Sequence, residues 1–166
     1  MQLSELMPQD QWIIRVAGRI GSSDEKRLEV QRHLMGQDDD KYLSIQGRIQ
    51  FLGSLGREEL ASELQSAFLV LIPTFAYEGA CLAAVEAISM GKTVIATNVG
   101  GLNDTIITGM NGILCQPNPF DIAEAIAEYC SDSEYREALP NSLATWKNFY
   151  SLDAWHKDLD HVFKSI

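Results

Sequence analysis

The stretch FLVLIPTFAYEGACLAAVEAISMGKTVIAT, residues 68–97, decides how the rest of the chain is read. Phe68 to Pro73 is a short apolar run with no polar face, the pattern of a strand covered on both sides. Thr74 to Gly79 reads as a loop, Ala80 to Met90 as a helix, and Gly91 stands where a left-handed helix stop belongs. Thr93 to Thr97 is again a strand. Strand, loop, helix and strand in that order form one unit of a parallel sheet. One residue does not fit the apolar helix: Glu86 sits among Leu82, Ala83, Ala84, Val85, Ala87 and Ile88. A buried unpaired carboxylate is costly, so the reading predicts a partner for it, either a ligand or an arginine. The plain alternative is a solvent stripe on an ordinary helix.

The same alternation extends along the chain. Strands are expected at Trp12 to Ala17, Ile49 to Gly53, Phe68 to Pro73, Thr93 to Thr97 and Gly112 to Gln116. Helices are expected near Glu25 to Met35, Arg57 to Ala67, Ala80 to Met90, Leu102 to Thr108, Pro119 to Cys130, Ser133 to Lys147 and Leu152 to Lys164. Asn118 before Pro119 and Asp121 is a helix start with its cap and its N-terminal proline. The expected fold is a Rossmann-like, doubly wound α/β parallel sheet in a single domain over residues 1–166.

Composition narrows the function. With 46% apolar and 22% charged residues the chain has the make-up of an ordinary globular protein. Thirteen Lys and Arg against 23 Asp and Glu give a net charge of -10. That charge repels phosphate backbones and anionic lipid, so neither nucleic acid nor a membrane surface is an expected partner. No apolar run approaches the length of a membrane span, and the first residues lack the pattern of a secretory signal, so a cytoplasmic location is expected. Cys81, Cys115 and Cys130 show no metal-ligand spacing and read as small hydrophobes. His33, His156 and His161 read as surface residues, and neither a metal nor a cofactor is expected.

Ligands of open parallel sheets bind beyond the carboxyl ends of the strands, where loops lead into helix N-termini. The loop PTFAYEGAC is in that position, with Gly79 allowing close backbone approach. Glu78 and Glu86, eight residues apart, stand about 12 Å apart along a helix. Carboxylate pairs of glycoside hydrolases stand roughly 5 to 9.5 Å apart across one bond, so the spacing argues against that chemistry. It suits an elongated ligand held at each end, and a nucleotide sugar has that form, with the two ribose hydroxyls facing one carboxylate.

The segment EGACLAAVEAISMGKTVIATNVGGLNDTIITGMNGILCQP, Glu78 to Pro117, resembles the donor-site signature of the family 4 (group 1) retaining glycosyltransferases of GT-B fold. Its pattern is Glu, seven residues, Glu, then a Gly-x-x-Val-Ile strand, a Gly-Gly turn and an Asn-Gly-x-Leu segment. The resemblance implies that the chain is the C-terminal, donor-nucleotide-binding domain of such an enzyme. It implies that Glu78 bonds hydroxyls of the transferred sugar, that backbone N–H groups of Ala80, Cys81 and Leu82 beside Gly79 hold sugar and phosphate, and that Glu86 holds the ribose. Leu55 falls where the family's backbone meets the base, and Gly100 and Gly101 match the Gly-Gly turn. The chain departs from the family at Ala80 and Cys81, where Phe and Gly are usual, and at Asn103 and Asp104, where a Pro or small residue and Glu are usual.

The resemblance implies transfer of a hexose from a UDP- or GDP-sugar to an acceptor. The alternative is a non-catalytic nucleotide-binding or assembly module that needs a partner chain. A dinucleotide-dependent oxidoreductase is disfavoured, because GRIGSSDEK after the first strand lacks a G-x-G-x-x-G turn. About 30 residues separate Gly18 from Phe51, too few for the extra helix, strand and loop that the family places there. Trp12 to Ala17 therefore aligns with the family's second strand. On that alignment Arg19 and Lys26 are not its phosphate-binding pair, the first strand and the acceptor-binding N-terminal domain are absent, and a partner bearing the missing half is expected.

Overall fold

The computed structural model describes residues 12–18, 48–77, 79–146 and 149–164. The helix expected at Glu25 to Met35, together with Arg19, Lys26, His33 and Glu78, lies outside the described residues. The described residues divide into two compact units, one within 7–63 and the other within 64–166.

In the first unit β1 (Ile14–Ala17) and β2 (Ile49–Gly53) pair in parallel, Ile14 opposite Ile49, with an irregularity between Val16 and Ala17. The Gly18 N–H donates to the Gly53 carbonyl just past the end of β1. Arg48 lies over the Trp12 ring at 4.8 Å, and Arg15 pairs with Glu63 at 2.9 Å. The helix α1 (Arg57–Ser66) starts at Gly56, whose N–H donates to the Glu59 carboxylate at 2.7 Å. That is the reciprocal half of a capping box, with glycine in place of the usual hydroxyl residue.

The second unit carries a three-stranded parallel sheet in the order β3 (Val70–Ile72), β4 (Val94–Thr97), β5 (Gly112–Cys115). The chain passes from β3 to β4 through α2 (Leu82–Ser89) and from β4 to β5 through α3 (Leu102–Thr105). Three further helices follow: α4 (Pro119–Ser131), α5 (Ser133–Trp146) and α6 (Leu152–Lys164). Every residue of β4 is buried, whereas Val70, Leu71 and Ile72 are only half-buried. The strand covered on both sides is thus β4, not the run at Phe68 to Pro73. β3 is shorter than expected, and Phe68 is exposed.

Alternation explains how one strand serves two layers. Val94 and Ala96 join Cys81, Ala84, Ala87, Ile88, Leu102 and Ile106 in one core cluster, on the α2 side. Ile95 points the other way, where α4 packs across β4 and β5 and contributes Ala123, Ala125, Ile126 and Tyr129. The Tyr129 hydroxyl donates to Thr93 Oγ1 at 3.0 Å, so the one polar tip on that helix face is satisfied inside. Helices on both faces of a parallel sheet are the expected Rossmann-like α/β arrangement.

Helix ends follow local chemistry. Asn118 Oδ1 accepts from the N–H groups of Phe120 and Asp121, both at 3.0 Å, with Pro119 at the first helical position. Gly91, at φ 72°, ends α2 as expected, and the next N–H, of Lys92, returns to the Ala87 carbonyl. The α3 helix stops at Thr105 rather than running to Thr108. Buried Asn111 takes the Ile107 N–H on its Oδ1 at 2.7 Å and donates to the Thr105 carbonyl at 2.9 Å. A side chain thereby replaces the next helical bonds.

Candidate donor site

β3 ends at Ile72, and the loop beyond it is held from beneath. Thr97 Oγ1, buried at the end of β4, donates to the Thr74 carbonyl at 2.6 Å. Thr74 Oγ1 in turn accepts the Ala76 N–H at 3.1 Å. The loop then enters α2 at Cys81, whose carbonyl accepts the first helical bonds, from Ala84 and Val85. The N–H groups of Leu82 and Ala83 precede that ladder and stay available at the positive end of the helix.

The Gly100–Gly101 turn comes back to this loop. A Cβ added at Gly101 would overlap the carbonyl of Gly79, so only glycine allows the two backbones to lie this close. Gly100 adopts φ 55° in the same turn. The structure therefore brings Gly79, Ala80, Cys81, Leu82, Gly100 and Gly101 together at one edge of one unit. Leu55 is half-buried between β2 and α1, in the other unit. Glu78, the expected sugar-binding carboxylate, lies outside the described residues.

Glu86 corrects one expectation. The inner face of α2 is Ala84, Ala87 and Ile88, each 0% exposed, while Leu82, Ala83 and Glu86 share the outer face and are exposed. Apolar neighbours along the sequence had implied burial, but they are neighbours in sequence and not in space. The carboxylate is solvated in the chain alone, so no buried charge forces a partner on it. Its place does matter: four residues beyond Leu82, it stands one turn up the same face, about 6 Å along the axis from the helix start.

Cys81 is buried and Cys115 half-buried, its thiol donating to the Ala96 carbonyl at 3.4 Å. Burial, reinforced by the nearby Asp121, pushes the Cys115 thiol above its ordinary range. His156 and His161 are exposed, as expected. Among the described residues no three His, Cys, Asp or Glu side chains gather as a metal site, and no helix is long and apolar enough to cross a membrane.

A family profile described as "Glycosyl transferases group 1" matches residues 2–144. The chain belongs to this family. Similar proteins include an uncharacterized glycosyltransferase of Methanocaldococcus jannaschii, 36% identical over 110 residues, covering 66% of this chain and 30% of the relative. A D-inositol 3-phosphate glycosyltransferase of Corynebacterium jeikeium is 30% identical over 162 residues, covering 94% of this chain and 37% of the relative. Among solved structures, Anabaena HepE in complex with UDP superimposes with a TM-score of 0.77 at 18% identity, over 99% of this chain and 44% of that one. Sucrose-phosphate synthase from Thermosynechococcus elongatus gives 0.68 at 23% identity, over 99% and 42%. At such identities the superpositions establish the fold. The chain spans about a third of the length of these curated relatives and less than half that of the superimposed structures.

Proposed function

We propose that this group 1 chain is the donor-nucleotide-binding half of a retaining, family 4 hexosyltransferase that takes its sugar from a UDP- or GDP-sugar in the cytoplasm. The observation that carries the reading is the packing of Gly101 on the Gly79 carbonyl. It sets the Gly-Gly turn against the loop that opens α2, one helical turn below the exposed carboxylate of Glu86. In this reading the N–H groups of Ala80, Cys81 and Leu82 face the sugar and diphosphate, and Glu86 accepts from the ribose hydroxyls. Charged acceptors of this kind make the stronger hydrogen bonds. Glu78 bonds the transferred sugar, Leu55 meets the base, and no metal or other cofactor takes part. In this reading an acceptor-binding part, on a partner chain or elsewhere in the same protein, completes the cleft for transfer. The superimposed HepE structure with UDP bound supports a nucleotide ligand on this fold.

The test is a titration of the purified chain with UDP, GDP, ADP and NAD. Binding of UDP or GDP in preference to ADP and NAD is the expected result. No binding by any of the four favours an assembly module over a transferase half. Glu78→Gln separates the ends of the ligand: it is expected to weaken the intact sugar nucleotide and leave the free nucleoside diphosphate nearly unchanged.

A further inference from the structure

Most aromatic rings of the second unit are packed against other rings or the core. Tyr129 is 3% exposed, and Trp146 and Tyr150 lie against the core cluster. Two on the site loop are not: Phe75 is 63% exposed and Tyr77 86%, with Leu82 at 70% where the same loop enters α2. These three apolar side chains flank Gly79 to Cys81 within eight residues of chain. The Thr97 bond to the Thr74 carbonyl and the Thr74 turn hold the backbone on either side of Phe75, at Thr74 and Ala76. Exposed aromatic rings on the loop at the ligand edge of a parallel sheet present flat apolar faces to solvent.

We propose that Phe75 and Tyr77 form a stacking platform for the apolar C–H face of a pyranose ring. The inference rests on the reading of the chain as a sugar-nucleotide-binding half. A pyranose has one face made largely of C–H bonds and a rim of hydroxyls, so a ring platform on the loop that leads into the first N–H groups of α2 matches both. The flat face fits the aromatic rings, and the rim fits the polar loop. The pyranose could be the sugar of the donor or that of an acceptor, and the two sources call for different probes.

The experiment measures dissociation constants for UDP, for UDP-glucose, and for methyl α-glucopyranoside added to UDP-saturated chain. The proteins are the unsubstituted chain, Phe75→Ala, Tyr77→Ala and Tyr77→Phe, with circular dichroism confirming that each is folded. UDP affinity is expected to stay the same throughout. Each alanine variant is expected to lose roughly 3- to 10-fold in affinity for a sugar-bearing probe, the range for one aromatic contact, while Tyr77→Phe keeps it. Loss confined to UDP-glucose places the donor sugar on the platform, and loss confined to the methyl glucoside places an acceptor there. Unchanged affinity for both sugar probes, or equal losses for UDP and UDP-glucose, overturns the platform while leaving nucleotide binding intact. If GDP is bound in place of UDP, GDP and GDP-glucose serve as the probes, and binding of neither UDP nor GDP by the unsubstituted chain overturns the transferase reading and the platform with it.

Discussion

The two faces of α2 differ in burial from one end of the scale to the other. On the inner face Ala84, Ala87 and Ile88 are completely buried against Val94 and Ala96 of β4. On the other side of the helix Leu82, Ala83 and Glu86 are exposed, beside a loop whose rings are also exposed. Burial on one face makes the helix a fixed support. Exposure on the other leaves a carboxylate at the solvent side of that support, next to the helix start and the loop that carries the exposed rings. The inner face should therefore govern stability and the outer face binding.

Substitutions on the inner side should give the largest effects. Ile88→Ala empties a fully buried site and is expected to cost about 2 to 5 kcal/mol in urea unfolding. A change below that range would mean that the core tolerates loss at the centre of α2. Asn111→Ala leaves the Ile107 N–H and the Thr105 carbonyl without their side-chain partner, an expected loss of about 1 to 3 kcal/mol. Removing the α4 cap with Asn118→Ala is expected to cost about 1 kcal/mol, and a neutral result would show water replacing it fully. On the outer face, Glu86→Ala should shift unfolding by no more than about 0.5 kcal/mol. A large destabilisation there would break the division between the faces.

The smallest expected effect is alkaline. Burial holds Cys115, Tyr135 and Tyr150 protonated beyond their ordinary ranges, with Asp121 acting on Cys115 and Glu128 and Asp132 on Tyr135. For acids whose folded pKa is raised, the stabilisation is complete below the unfolded value and fades as pH rises through the folded one. Stability should hold to about pH 9 and decline above it. A flat profile to about pH 11 would contradict the shifts.

Local signals were readable from the sequence because their causes are local. Asn118 before Pro119, and Gly91 after Met90, mark helix ends through side-chain and backbone chemistry within a few residues. The strand–helix alternation also placed β2 to the residue. What the sequence hid depends on distance. The overlap of Gly101 with the Gly79 carbonyl joins residues 22 positions apart, and nothing local announces it. The apolar run at Phe68 to Pro73 resembles a central strand, but sheet position is decided by neighbours, and β4 holds the centre. Glu86 looked buried for a related reason. Small residues lie on both faces of α2, so composition alone does not show which alanines face the sheet. Asn111 was legible only as part of the Asn-Gly-x-Leu match, and its role in stopping α3 needed the turn itself.

The central claim is that the outer face of α2 and the loop before it hold a nucleotide. Isothermal titration of UDP and of GDP into the unsubstituted chain and into Glu86→Ala tests it most directly. The account predicts that whichever nucleotide binds does so about 1 to 3 kcal/mol more weakly to Glu86→Ala, the loss of hydrogen bonds to a charged acceptor, with unfolding of the two proteins nearly the same. An equal dissociation constant for both proteins would contradict it.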